Sequence, residues 1–144
     1  IYHSKDKMAE AYAAYDSALV YNPSNIGALN NYAYYLSVER RELDKAEEMS
    51  FKTVKAEPKN STYLDTYAWI LFEKGNYAEA RIYIDEALKN GGEQSDVIVE
   101  HSGDIYYMTG DVENALKFWK KALEMGSKSA TIKKKIEQKK YITE

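Results

Sequence analysis

Cysteine is absent from this chain, so disulfide staples and thiolate metal sites are excluded, while either a reducing or an oxidising compartment remains compatible. Histidine occurs twice, too sparse for a metal-ligand set without cysteine. There are two prolines and seven glycines in 144 residues, and no glycine-rich phosphate loop, P-loop or nucleophile elbow. No run of about 18 apolar residues is present, which leaves no candidate membrane-spanning helix. Basic charge is also scarce where nucleic acid would need it. Residues 1–128 carry 15 basic and 21 acidic side chains, whereas residues 129–144 carry five lysines against two glutamates. An acidic body argues against a phosphate-binding surface, because nucleic-acid affinity rests mainly on neutralising backbone charge.

What is abundant is self-similarity. LNNYAYYL at 29–36 returns 35 residues later as LDTYAWIL at 64–71, and more weakly as VEHSGDIY at 99–106. Between these rungs, Ala11, Ala46, Ala80 and Ala115 are each followed seven residues later by Ala18, Thr53, Ala87 and Ala122. Small residues at that interval fit helices whose backbones touch. Pro23 and Pro58 follow where a helix has to stop, since proline lacks the N–H donor and clashes with the preceding turn. The pattern predicts an all-α stack of antiparallel helix hairpins.

These residues resemble the tetratricopeptide repeat, a helix hairpin with the pattern W-x2-L-G-x2-Y, then A-x3-F, then P. One unit offers Leu64, Tyr67, Ala68 and Leu71, then Gly75, Tyr77, Ala80, Ile84 and Ala87. The next offers Val99, Ser102, Gly103 and Tyr106, then Gly110, Ala115, Trp119 and Ala122, and the preceding one Leu29, Tyr32, Ala33, Leu36, Leu43, Ala46, Ser50, Thr53 and Pro58. The departures are a longer turn at Arg41 and a Gly91-Gly92 pair where a proline would end the unit. The resemblance implies a right-handed α-solenoid forming one domain over 1–144. Residues 1–23 read as the second helix of a truncated repeat, 24–60, 61–94 and 95–128 as full repeats, and 129–144 as a C-terminal capping helix. The chain then reads as a piece of a longer protein, with Tyr12, Tyr15 and Leu19 on an uncovered helix over 4–21 that offers a route to self-association. Ser24, Ser61 and Ser95 are expected helix N-caps, and Gly75 and Gly110 expected helix ends. The last helix is expected over 129–141, with Ile132, Ile136 and Tyr141 on one side and Lys133, Lys134, Lys135, Lys139 and Lys140 mostly on the other, as a polar end unit. The 14 tyrosines read as flat interface rings.

By the same resemblance, positions one, five and eight after each anchor line a concave peptide groove. Here they are Asn30, Tyr34 and Ser37, then Asp65, Trp69 and Phe72, then Glu100, Asp104 and Tyr107. The expected peptide-binding set is Asn30, Asn31, Tyr34, Asp65, Trp69, Phe72, Glu100, Asp104 and Tyr107. The subfamily that grips the C-terminal carboxylate of heat-shock chaperones uses lysines, an arginine and asparagines on this surface, and only Asn31 is similar. The acids are expected to steer a basic or neutral partner with an apolar anchor, and the aromatic residues to set affinity. An exposed ion pair contributes about 0–1 kcal/mol, whereas truncating an aromatic hot spot costs about 2–4. His101 beside Glu100 and Asp104 is weighed as a metal or acid/base cluster and found a poor one.

The functional expectation is a non-catalytic protein-interaction scaffold with no cofactor and no metal, taking a protein or peptide rather than nucleic acid and not inserting in a membrane. An accessory array of a larger enzyme or assembly protein, and an RNA-reading helical repeat, are the competing readings. The resemblance leans bacterial, with cytoplasm and envelope both open.

Overall fold

Alternation of apolar and small residues at helical spacing needs a stop signal to become hairpins, and the chain supplies one at each turn. The computed structural model describes residues 26–40, 42–127, 129 and 131–141. The helix expected over 4–21, with Tyr12, Tyr15 and Leu19, and the cap expected at Ser24 lie outside the described residues. Seven α-helices and no strand occur among the described residues: α1 (Ile26–Val38), α2 (Leu43–Ala56), α3 (Ser61–Glu73), α4 (Tyr77–Lys89), α5 (Asp96–Met108), α6 (Val112–Glu124) and α7 (Ile132–Gln138). A single 3-10 turn, Gly92–Gln94, joins α4 to α5.

Side-chain oxygens satisfy the first-turn amides of three helices. The Ser95 hydroxyl accepts from the Ile98 N–H at 3.4 Å, and Asp111 Oδ1 accepts from the Asn114 N–H at 3.1 Å. For α3 the cap is Asn60, whose Oδ1 accepts from the Tyr63 N–H at 3.1 Å; Ser61 is already the first helical residue. The cap thus stands one residue before the serine that spacing selects, because asparagine and serine are near-equal caps and stand side by side. Gly75 and Gly110 end α3 and α5 with φ of 85° and 91°. In the first, the Asn76 N–H reaches back to the Leu71 carbonyl at 2.8 Å, closing the helix end. The first hairpin has no glycine at its turn, and its extra length puts Arg40 and Glu42 at φ of 53° and 45° instead.

Alanine sets the packing distance. Ala33, Ala46, Ala68, Ala80, Ala87, Ala115 and Ala122 are all fully buried, so the helices meet backbone to backbone. α1 pairs with α2, α3 with α4 and α5 with α6, and each hairpin leans on the next. As a result α1, α3 and α5 stand side by side along one face. Leu64, Leu71, Ile84 and Ile105 fill the space between hairpins. Each contributes roughly 1.5–3 kcal/mol by burial.

α7 packs on α6 and buries Ile132. It is shorter than the 129–141 helix expected, and one of its lysines faces inward. Lys133, Lys134, Lys139 and Lys140 are exposed, but Lys135 is 1% exposed, on the side of Ile132 and the half-buried Ile136. Helical phase explains this correction: 132, 135 and 136 share a face.

Gly103 is where α5 passes closely over a large ring. A Cβ built there would lie 2.4 Å from Cδ1 and 2.5 Å from Nε1 of the fully buried Trp119. Gly103→Ala should therefore lower stability by on the order of 1–3 kcal/mol through overpacking, despite alanine's better helix propensity. A urea midpoint at or above that of the wild type would contradict this packing.

Candidate functional site

The face made by α1, α3 and α5 is not flat. A cleft of about 610 Å³ runs across it, with Tyr34 from α1, Trp69 from α3 and His101 from α5 on its walls, and Val97 at the start of α5. Val97 is 47% exposed, an apolar side chain open to whatever enters. A second hollow of about 360 Å³ lies between α1, α3 and the start of α5. Tyr34 borders both.

The residues expected to line a groove separate into three groups. Tyr34, Trp69, Glu100 and Asp104 border the larger cleft, and Asn30, Asn31 and Asp65 the smaller hollow. Phe72 and Tyr107 border neither. Phe72 is buried, stacked on Trp69 at 4.5 Å between ring centroids and meeting Tyr77 and Tyr141 edge-on. Tyr107 is half-buried against the Trp119 ring, 5.9 Å between centroids. Asn30 is buried, and its Oδ1 has no hydrogen-bond partner.

The acids are not free steering charges. Asp65, Glu100 and Asp104 are each more than nine-tenths buried and each is engaged. Lys135 Nζ donates to Glu100 Oε2 at 2.8 Å and to Asp104 Oδ1 at 2.9 Å. The Trp119 indole N–H donates to the same Asp104 oxygen at 2.9 Å, and the Ser127 hydroxyl to Glu100 Oε1 at 3.0 Å. Asp65 Oδ1 is 2.8 Å from His101 Nδ1. His101 in turn lies flat on Trp69, with centroids 4.0 Å apart, so Phe72, Trp69 and His101 form one continuous stack.

One lysine thus faces two carboxylates, and their acidities diverge. Burial pushes Asp104 up to about 6, against the pull of Lys135. Burial also opposes ionisation of Glu100, but its hydrogen bond to Lys135 and the charge of that lysine outweigh it and hold Glu100 below its usual value. For Lys135, burial works against the ammonium, and Asp104 and Glu100 more than compensate and raise its pKa. For His101, burial disfavours the imidazolium, yet the Asp65 carboxylate beside it prevails and raises its pKa.

Periodicity missed His101 as a stacking partner and Lys135 as a cleft residue; Tyr141, expected on the apolar side of the last helix, also borders the cleft. Lys135 was detectable as a lysine on the Ile132–Ile136 face. Tyr141 lies beyond the end of α7, where no helical phase applies. Among the described residues no group of three or more His, Cys, Asp or Glu is placed to hold a metal ion, and no helix is long and apolar enough to cross a membrane.

A histidine with a raised folded pKa stabilises the fold fully below its unfolded value, near 6.5, and loses that contribution as pH rises through the folded value. The stability difference between wild type and His101→Gln should therefore shrink as pH rises from about 6 to about 9. Glu100 and Lys135 keep their charges across that interval, and Asp104 finishes ionising at its acid end. Urea midpoints of the two proteins at several pH values check it; a constant difference would mean that His101 carries no folded-state proton shift.

A family model described as a tetratricopeptide repeat matches residues 62–90, the segment that contains most of α3 and all of α4. No curated protein sequence matches the chain significantly. Among solved structures, the Pseudomonas aeruginosa protein pilF is similar with a TM-score of 0.79 at 20% identity, covering 94% of this chain and 61% of that one. A thermophilic TPR protein of Thermus thermophilus is similar with a TM-score of 0.73 at 16% identity, covering 92% of this chain and 74% of that one. The first TPR domain of Spaghetti (RPAP3), bound to the HSP90 peptide SRMEEVD, is similar with a TM-score of 0.70 at 16% identity, covering 79% of this chain and 89% of that one. At those identities the likeness establishes the fold alone, an all-α helical repeat, in which residues 62–90 match a tetratricopeptide repeat.

Proposed function

We propose that this protein is a non-catalytic interaction module that holds a segment of another protein in the cleft across α1, α3 and α5. The observation that carries the reading is the cleft itself, about 610 Å³ with Trp69 and His101 stacked on its wall and Val97 exposed at its edge. Aromatic rings held rigid by their neighbours lose little entropy when a ligand packs on them, which is what an affinity-setting contact needs. In the cleft the Ser127 hydroxyl meets Glu100, a carboxylate already held by Lys135. Most of the cleft's charged groups are engaged with one another, Arg40 with Glu73 and Lys135 with Glu100 and Asp104.

That engagement narrows the ligand. Arg40 faces Glu73 with Nε to Oε2 at 3.3 Å, and Lys135 is held by Glu100 and Asp104. Among the described residues, both the arginine and the lysine bordering the cleft thus already have carboxylate partners. An acidic peptide such as the SRMEEVD bound by the RPAP3 domain would have to compete with them. A neutral or basic segment with an apolar anchor fits better. The acidic body of the chain, with 21 acidic against 15 basic side chains over residues 1–128, favours a protein partner over nucleic acid for the same reason.

Trp69→Ala, confirmed folded by circular dichroism, should weaken partner capture from a lysate of the source organism by at least roughly tenfold, the scale of an aromatic hot spot. Ile82→Ala, which removes an exposed side chain of α4 away from the cleft, should leave capture unchanged. Labelled SRMEEVD should bind no more tightly than about 0.1 mM. Equal capture by wild type and Trp69→Ala would move the binding surface elsewhere.

A further inference from the structure

α5, α6 and the loop that follows them build a receptor for one alkylammonium group. Glu100 and Asp104 supply the two acceptors, and each is fixed by a donor from outside α7: Ser127 for Glu100 and the Trp119 indole for Asp104. Only the cation comes from α7, as Lys135. The receptor is therefore preorganised by residues that do not depend on the helix filling it.

The helix filling it is the shortest of the seven and the most sparsely anchored. α7 has seven residues, well under the about 12–15 at which an isolated helix becomes stable. Its apolar anchorage is Ile132 and the half-buried Ile136, and it hangs from a loop that passes through Gly126 at φ 95°. Burying an ammonium and two carboxylates carries a desolvation cost that offsets much of their attraction. Short, sparsely anchored elements open locally at free energies below that of global unfolding.

The geometry points to α7 as an exchangeable occupant: a partner's own lysine enters between Glu100 and Asp104 as α7 leaves. This deepens the peptide-binding reading above and rests on it. α7 itself states the chemistry required, a helical segment with a lysine and isoleucine-sized residues three before and one after it, like Ile132, Lys135 and Ile136. Lysine is specified over arginine because both acceptors converge on a single nitrogen, 2.8 and 2.9 Å from Lys135 Nζ, which suits a compact point charge better than a planar fork. Departure of α7 also withdraws Tyr141, which borders the cleft and packs edge-on against Phe72 with centroids 5.3 Å apart. One displacement would thus supply the charge contact and widen the cleft.

Two measurements test the exchange. In hydrogen exchange of the full chain, the backbone amides of Lys135 to Gln138 should exchange at least about tenfold faster than the slowest amides of α5 and α6. Exchange of α7 in step with α5 and α6 would make it a permanent part of the core and overturn the proposal. Second, a labelled peptide with the sequence SATIKKKIEQKKY, this chain's residues 129–141, should bind the Lys135→Ala protein at least about tenfold more tightly than wild type. The same peptide carrying Lys135→Arg should bind at least about tenfold less tightly. Equal binding to both proteins, or indifference to that peptide substitution, overturns the proposal; a wild-type dimer formed by swapping α7, seen by light scattering, would keep the exchange and overturn an outside partner as its occupant. Neither measurement involves the outside partner, so intact exchange with unaffected capture by Trp69→Ala would sink the cleft reading alone.

Discussion

Contact between alanine-bearing backbones is the constraint on which the rest of the molecule depends. Ala33, Ala46, Ala68, Ala80, Ala87, Ala115 and Ala122 have no exposed surface, and a larger side chain at any of them would separate two helices. Because the spacing repeats, each hairpin packs on the next, and the three first helices come into line. The cleft follows from that alignment. Tyr34, Trp69 and His101 meet across about 70 residues of sequence because α1, α3 and α5 are held close by residues that never touch the cleft.

On this frame the two buried acids of α5 each serve two neighbours. Asp104 serves Trp119 and Lys135 through one oxygen, Glu100 serves Lys135 and Ser127 through two, and Asp65 orients His101 beneath Trp69. A buried carboxylate left without such a partner would carry its full desolvation penalty. The positive charge of Lys135 is thus a condition for placing two acids on the inner face of α5. That also explains why Asp104, with a shared counter-charge and nearly complete burial, is harder to ionise than Glu100.

The helical repeat was legible in the sequence because it is local: a pair of small residues seven positions apart in each second helix, a glycine at each turn after α3 and α5, an anchor every 35 residues. Each of these acts within one hairpin or between adjacent ones. The state of the cleft acids was not legible, since Lys135 lies 35 residues from Glu100 and 31 from Asp104, in a helix outside the repeated pattern. Phe72 shows a second kind of miss. Its position on the helix is as spacing predicts, but Trp69, Tyr77 and Tyr141 enclose it from three directions. Spacing specifies where a side chain starts, and the neighbours that converge on it decide whether solvent reaches it.

The two tryptophans stand in unlike surroundings. Trp119 is sealed between α5 and α6, while Trp69 lies at the cleft wall, sandwiched between a phenylalanine and an imidazole that carries a proton more readily than usual. Indole emission responds to the polarity and charge around the ring, so the chain contains its own pair of optical probes, one at the cleft wall and one bonded to Asp104 beside Lys135. Light from Trp69 registers what rests against it without any added label, and light from Trp119 registers what cation sits on Asp104.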